Sequence, residues 1–373
     1  MIYLDHNATS PVDLRVLEAM QPYMTSFYGN PSSLYRLGRV VRSAIETARC
    51  QVAALVGAEP SEVIFTSGGT EANNLAIKGL LANPTVKKIF ISKTEHPSVL
   101  EAALSLNDLL AIEYLAVDSQ GLVDFEVAPS RFGAGLNFVS VMMANNETGV
   151  IQPVARIAEY FKAIHSSIIL HTDAVQALGK IPVDIATLNV DMLSLSSHKI
   201  YGPKGVGALV ARNPASLMPL LFGGAQEHGV RAGTENVPAI IGFGKAAELA
   251  QQFLMTRSES LKQLRDYLEG QLRSQIPGVM LFSERVKRLP NTVQFAIPKT
   301  DGEMMLMQLD KKGCAVSSGS ACASGGEASH VLMAMGVNEP LAKSAVRVSL
   351  GEMNTKDEID QFIVLLKSIV NHS

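Results

Sequence analysis

Several things are scarce in this chain of 373 residues, and each scarcity removes a class of function. No run reaches the roughly 18 apolar residues that a bilayer-spanning helix needs, although the mean hydropathy is slightly positive. The opening Met1-Ile2-Tyr3-Leu4-Asp5-His6 lacks the basic start and apolar stretch of a secretory signal, which makes the cytoplasm the expected location. The net charge of −3 offers no basic surface for direct nucleic-acid binding or for an anionic membrane. Only three cysteines occur, Cys50, Cys314 and Cys322; the odd count and the absence of metal-type spacing speak against a disulfide framework or a zinc site. Repeats, low-complexity tracts and long linkers are also missing.

What is present is enough apolar material, 47% of residues, to bury a sizeable core. The length calls for one large domain and at least one smaller one. Short β-rich runs alternate with helical patterns. Strands are expected at 63–66, 89–91, 138–142, 168–173, 192–196 and 207–210. Their near-continuous apolar character indicates an α/β fold with a mostly parallel sheet covered on both faces. The pattern changes near residue 255. A charged helix over 258–272, a strand at 292–295 and a final helix with its stripe at Ile359, Phe362, Ile363, Leu366 and Val370 follow, the last preceded by Thr355 and Glu358 at capping-box spacing. The expected division is residues 1–15 as a segment packing on the smaller domain, 16–250 as the large domain and 251–373 as the small α+β C-terminal domain. Cys50 falls in a helical pattern with Ala44, Ile45, Ala48 and Val52 and reads as a buried small hydrophobe, as does Cys314.

Ligands of open α/β sheets bind beyond the carboxyl ends of the strands. Five polar clusters follow strands here: Ser67-Gly68-Gly69-Thr70-Glu71, Lys93-Thr94-Glu95-His96, Asn145-Asn146-Glu147, Asp173-Ala174-Val175-Gln176 and Ser196-Ser197-His198-Lys199. The first joins a strand to a helix, where glycines admit a close backbone approach and free N–H groups attract phosphate; an ordinary N-capped turn has the same look. Lys199 stands at a strand end before the tight turn Ile200-Tyr201-Gly202-Pro203-Lys204-Gly205, and a buried lysine there can form a Schiff base with an aldehyde; Lys204 fits a plain surface lysine. Ser196 and His198 can bind phosphate beside it. A buried carboxylate at Asp173 needs a partner, and a protonated pyridine nitrogen supplies one. Gln176 can reach a neighbouring ring oxygen, and His96 can stack on the ring or, on the plainer reading, cap a helix or sit in the core.

These residues, together with Tyr3-Leu4-Asp5, Gly29-Asn30-Pro31-Ser32, Thr66 to Glu71 and Ser318-Gly319-Ser320-Ala321-Cys322, make the whole chain resemble the NifS/IscS-type cysteine desulfurases of the class V aminotransferase group. The resemblance implies the aspartate aminotransferase-like PLP-dependent transferase fold, fold type I, with a seven-stranded sheet in the large domain. It implies pyridoxal 5'-phosphate carried on Lys199. Gly69, Thr70, Ser196 and His198 correspond to phosphate ligands, Asp173 to the partner of the pyridine nitrogen, Asn146 and Gln176 to contacts near the ring hydroxyl, and His96 to the stacked ring and an acid–base helper. Asn146 is also placed at the substrate. Thr234 corresponds to a phosphate contact made across a homodimer interface, and Arg347 to the clamp on the substrate carboxylate. Cys322, on a small, glycine-rich stretch expected to be a mobile loop, corresponds to the thiol that takes sulfur from L-cysteine as a persulfide, leaving L-alanine. No metal is implied beyond a transient iron–sulfur ligand at Cys322.

The stretch after Cys322 is about one residue shorter than in the housekeeping bacterial enzymes and carries Gly325-Gly326, and the sequence ends at Ser373, soon after the final helix. Both differences bear on the sulfur-acceptor protein, an iron–sulfur scaffold or a thiolation carrier, and leave a specialised pathway open. Two other readings also stay open. Another class V enzyme, a selenocysteine lyase or an aminotransferase, would keep Lys199 and Asp173 without needing Cys322. A non-catalytic adaptor would keep the fold alone.

Overall fold

The computed structural model describes residues 1–82, 86–126, 136–165, 167–318 and 328–371. Its strands, in chain order, are β1 (Ile2–Tyr3), β2 (Val63–Thr66), β3 (Val86–Ser92), β4 (Ala111–Leu115), β5 (Leu136–Ser140), β6 (Ile168–Asp173), β7 (Met192–Ser196), β8 (Gly207–Ala211), β9 (Met280–Leu281), β10 (Thr292–Ala296), β11 (Cys314–Ala315) and β12 (Ala345–Ser349). Seven of them form one sheet in the order β2-β8-β7-β6-β5-β3-β4. β8 is antiparallel to both its neighbours, and every other pair is parallel.

Alternate residues of the central strands enter two separate apolar layers. Phe90, Val139, Leu170 and Leu193 face one; Ile89, Ile91, Phe138 and Met192 face the other. Burial on both faces is why these strands read as continuous apolar runs and were legible in the sequence. β4 carries no such signal because it is the sheet edge: Ala111 is exposed and Ile112, Glu113 and Tyr114 are only half-buried. The strand expected over 138–142 stops at Ser140, since the Met142 N–H is taken by the Glu95 carboxyl at 2.6 Å.

The C-terminal half builds a second centre. β9, β10 and β12 form an antiparallel sheet, and β1 pairs in parallel with β11. Leu4 shares one apolar cluster with Leu268, Phe295, Val348 and Phe362. The final helix, Lys356–Val370, has the capping box of Thr355 and Glu358. It buries Ile359, Phe362, Ile363, Leu366 and Ile369, with Val370 half-buried. The charged helix expected over 258–272 is the far part of one helix, Val237–Gln275. Its first half packs Ile240, Phe243 and Ala247 into the large core, and its second half packs Leu261, Leu268 and Leu272 into the small one. The first half is buried nearly all round, from Val237 to Ala250, whereas the second half buries mainly the stripe of Leu261, Leu268 and Leu272, which is why the composition shift near 255 was visible and the helix's start was not.

Cys50 corrects the expectation of burial. It lies on the helix Arg36–Leu55 but is exposed. Two residues beyond Ala48 at about 100° per residue, it sits on the face opposite the buried stripe of Val41, Ile45, Ala48 and Val52. Cys314 is buried, and burial pushes its thiol up to about 12. Among the described residues, no helix is long and apolar enough to cross a membrane, and no group of His, Cys, Asp or Glu is arranged to hold a metal ion.

Candidate active site

The reversed strand β8 brings together the clusters that follow β2 and β7, beside the one at the end of β6. Its first residue, Gly207, pairs with both Thr66 and Ser196, so the carboxyl ends of β2 and β7 lie on either side of it, level with that of β6. A Cβ at Gly207 would stand 2.5 Å from the Leu195 carbonyl and 2.7 Å from the Gly68 backbone. Glycine at 207 is therefore what lets the Ser67–Gly69 turn lie against β8.

Lys199 follows β7 in a single turn of 3₁₀-helix, Ser197–Lys199. Its ammonium donates to the Ala8 carbonyl at 2.6 Å and to the Asn7 carbonyl. The N-terminal segment is thus part of the site, which the sequence did not reveal. Ser10 Oγ donates to the His198 carbonyl at 2.8 Å and accepts from the Tyr201 N–H at 2.9 Å, and Thr9 Oγ1 meets His198 Nδ1 at 3.1 Å. Asn7 ties the two cores together: its amide donates to the Asn146 carbonyl (3.1 Å) and to Thr292 Oγ1 (2.9 Å), and its carbonyl accepts from Gln176 Nε2 (2.9 Å). Gln176 in turn accepts through Oε1 from Lys180 at 2.9 Å. An ammonium only donates, so this contact fixes which way the Gln176 amide points. Lys180 is a second buried amine beside Lys199, and burial, with the charge of Lys199 and then Arg347, brings it down to about 7.

Asp173, buried at the end of β6, accepts from the Val175 N–H at 2.9 Å and from Asn73 Nδ2 at 2.7 Å. Asn73 Nδ2 also donates to Ser98 Oγ at 2.8 Å, and Ser98 Oγ lies 2.8 Å from His96 Nδ1. His96 caps the helix Pro97–Leu104, its Nδ1 accepting the Ser98 N–H at 3.1 Å. With Nδ1 used as an acceptor, the proton of the neutral ring sits on Nε2. Burial, helped by the charge of Lys199, lowers the His96 pKa against the opposing pull of Asp173. His96 is therefore a helix cap, the plainer reading, and also a neutral imidazole oriented by the same chain of hydrogen bonds that holds Asp173.

Glu95 is fully buried, and burial raises its carboxyl to about 8 from an ordinary 4.5. A carboxyl raised in this way contributes stability that is complete below pH 4.5 and is lost as pH climbs toward 8. Glu95→Gln keeps the acceptor for the Met142 N–H and removes the titration. The fall in melting temperature of the wild type between pH 5 and 8, roughly 1–1.5 °C per kcal/mol for a chain of this size, is expected to shrink in the variant; equal slopes would show that Glu95 is ionised in the fold.

At the other end of the site the helix Gly69–Lys78 begins, with Gly69 half-buried and Thr70 exposed. A Cβ at Gly69 would stand 2.8 Å from Val175 Cγ2. Ser196 Oγ is buried without a hydrogen-bond partner, an orphan hydroxyl that a ligand oxygen would satisfy. His198 is held neutral, its pKa brought to about 4 by burial and then by Lys199, Lys204 and Lys180. Helix N–H groups, an unpartnered hydroxyl, a neutral imidazole, an amine and an accepting carboxylate form a set of groups that fits a phosphate, an aldehyde and a protonated pyridine nitrogen.

Arg347, on β12, is 2% exposed. It donates to Asp5 at 2.6 Å and to the Asn146 carbonyl at 3.0 Å, while its Nε has no partner. Its backbone pairs with Ser317. Asn146, half-buried, accepts through its carbonyl from both Asn7 and Arg347. Thr234 is exposed on the surface of the single chain. Cys322, the stretch from Gly319 and Gly325-Gly326 lie outside the described residues.

The family model for class-V aminotransferases matches residues 2–362. The chain belongs to the class-V aminotransferase family. Within it the chain falls among the cysteine desulfurases: a cysteine desulfurase 2 of Trichormus variabilis is 47% identical over 99% of this chain and 93% of its own length. A solved NifS-like protein superimposes with a TM-score of 0.93 at 36% identity, covering 100% of both chains. A structure described as SspA in complex with cysteine superimposes with a TM-score of 0.82 at 33% identity, over 94% of this chain and 99% of that one. The expected PLP-dependent transferase fold is the one observed, and pyridoxal phosphate is the cofactor of this family.

The N-terminal contribution was the main omission of the sequence reading. Asp5, Asn7, Asn73 and Lys180 all touch residues it had named. The available signal was the polar run Asp5-His6-Asn7 directly after an apolar start, and a lysine, Lys180, four residues past Gln176 on the way out of the same cluster.

Proposed function

We propose that this chain is a cysteine desulfurase that converts L-cysteine to L-alanine and leaves the sulfur as a persulfide on Cys322. The reading is supported by full-length likeness to curated cysteine desulfurases together with a site that gathers Lys199, Asp173, His96 and Arg347. Pyridoxal phosphate, when bound, supplies a ring that accepts electrons from the substrate Cα. Gly69, Thr70, Ser196 and His198 hold the phosphate, Thr234 reaching it from a second protomer of a homodimer. Asp173 holds the pyridine nitrogen in its protonated state. Gln176 and Asn146 address the ring hydroxyl, and Asn146 also lines the substrate.

Arg347 and its free Nε bind the substrate carboxylate. Lys199, as a free amine, would take the Cα proton; the carbonyls of Asn7 and Ala8 accept from its ammonium and so favour the protonated product of that step. His96 Nε2–H moves a proton at the substrate sulfur. Cys322, as thiolate, attacks that sulfur; the carbon–sulfur bond breaks as the sulfur–sulfur bond forms, and the carbon keeps the electron pair and takes a proton. The persulfide passes to an acceptor protein, an iron–sulfur scaffold or a thiolation carrier, in the cytoplasm. The unit that carries this chemistry divides into residues 1–15, 16–250 and 251–373, a division supported by the two apolar centres that the long helix joins.

The test is sulfide release from L-cysteine with a reductant. The wild type is expected to release sulfide and alanine in equal amounts, and Cys322→Ala to lose at least ~100-fold while keeping its cofactor. Alanine formed at the full rate by Cys322→Ala would move the chain to another class V activity.

A further inference from the structure

The turn that opens the phosphate end of the site has an anion built into it. Glu71, in the first turn of the helix Gly69–Lys78, accepts the Ser67 N–H at 2.7 Å. A carboxylate there suits the helix dipole and pins the backbone of Ser67, but it repels a phosphate dianion bound at the neighbouring Gly69 and Thr70. Burial would raise its pKa, yet the Arg231 guanidinium and the Ser67 N–H outweigh burial and hold it below the usual range, so the charge is present at neutral pH. Arg231 meets it side-on, Nε to Oε1 at 3.0 Å and a terminal nitrogen to Oε2 at 3.5 Å.

Arg231 is delivered to this place by a second anchor. Four residues earlier, Glu227 accepts from both terminal nitrogens of the buried Arg49 at 2.8 Å and from the Phe65 N–H at 2.8 Å. Glu227 itself has φ of 45°, in the left-handed region where a glutamate is strained. The segment 227–231 is therefore fastened to both ends of the junction between β2 and the helix: at Phe65, before the glycines, and at Glu71, after them.

We propose that Arg231 is a positioning residue for the cofactor phosphate, acting through Glu71: it cancels the carboxylate's charge beside the phosphate turn while leaving that carboxylate free to shape the turn. The proposal rests on the reading of Ser67–Thr70 as the phosphate site. Three residues beyond Arg231 comes Thr234, so the same strap that neutralises a protomer's own phosphate turn carries the residue assigned to its partner's.

The measurement is the affinity of the full-length protein for pyridoxal phosphate and for pyridoxal, which lacks the phosphate, in the wild type, Arg231→Met, Glu71→Gln and the double variant. Arg231→Met, which unmasks the carboxylate, is expected to weaken pyridoxal phosphate about tenfold and to leave pyridoxal unchanged. Glu71→Gln keeps an acceptor for the Ser67 N–H and is expected to bind pyridoxal phosphate at least as tightly as the wild type. The double variant is expected to recover to within about threefold of the wild type, because no charge is left to mask. Arg231 is partly exposed, its side chain at 23%, and melting curves check that each variant folds.

A double variant as weak as Arg231→Met, or equal losses for the two ligands, would overturn the proposal in favour of a structural role. Gly69→Val separates this failure from failure of the underlying reading. If Gly69→Val abolishes the preference for pyridoxal phosphate while Arg231→Met leaves it intact, only the role of Arg231 falls. If Gly69→Val keeps the preference, the phosphate lies elsewhere.

Discussion

Lys199→Ala is expected to reduce sulfide release by at least ~1,000-fold, the largest effect of any single substitution in the chain, because the proposed function has one side chain both carry the cofactor and move the Cα proton. The fold is expected to tolerate it. Lys199 is only part-buried, and of the two carbonyls it leaves behind, Asn7 O still accepts from Gln176 at 2.9 Å. The structure also supplies a rival that makes the experiment informative. Lys180 is a buried amine in the same network, its proton affinity brought down to about 7, so it is chemically able to act as a nucleophile at neutral pH. Its Nζ, however, is committed to Gln176 Oε1 at 2.9 Å and the Gln176 carbonyl at 3.1 Å. Borohydride reduction of the wild type followed by peptide mass spectrometry is expected to find the cofactor on Lys199. A label on Lys180, or a Lys199→Ala variant that kept its rate and its visible absorbance, would transfer the role.

Arg347→Met is expected to lower kcat/KM for cysteine by about 100-fold or more, chiefly through KM, and to cost about 3 kcal/mol of stability. The two effects have different origins and can be pulled apart. The stability loss comes from Asp5, whose carboxylate lies 2.6 Å from the guanidinium and would be left unpaired in a largely buried place. The catalytic loss comes from the missing donors for the substrate carboxylate. Asp5→Asn combined with Arg347→Met is therefore expected to restore most of the melting temperature without restoring KM. If the double variant recovers both, Arg347 acts only as a strut for the N-terminal segment and the carboxylate is held elsewhere.

Legibility followed the range of the interactions. Strands buried on both faces announce themselves as apolar runs; the glycine turn directly follows one, Asp173 ends one and Lys199 comes three residues after one, so adjacency in sequence pointed to adjacency at the sheet edge. The capping box of Thr355 and Glu358 was visible for the same reason: its partners are three residues apart. Cys50 failed because membership of a helix was equated with burial: at about 100° per residue it lies opposite the stripe of Ile45, Ala48 and Val52, and the phase of that stripe turns it to solvent. β4 failed because an edge strand is half in solvent and has no reason to be apolar.

The sequence by itself determined the local chemistry: which residue types follow which strands, and that one lysine and one carboxylate stand at strand ends. The tertiary structure decided what those residues can do. Asp5 is 342 positions from the arginine it neutralises, Asn73 is 100 from the aspartate it orients, and Asn7 is 192 from the lysine whose ammonium its carbonyl accepts. No periodicity encodes contacts at that separation. The contacts of Asp5 and Asn7 exist because the chain's first strand pairs beside β11 and brings Asp5 to Ser10 across the mouth of the large sheet, and that of Asn73 because its helix starts at the end of β2 and packs over the end of β6; buried backbone carbonyls and side chains there must find partners.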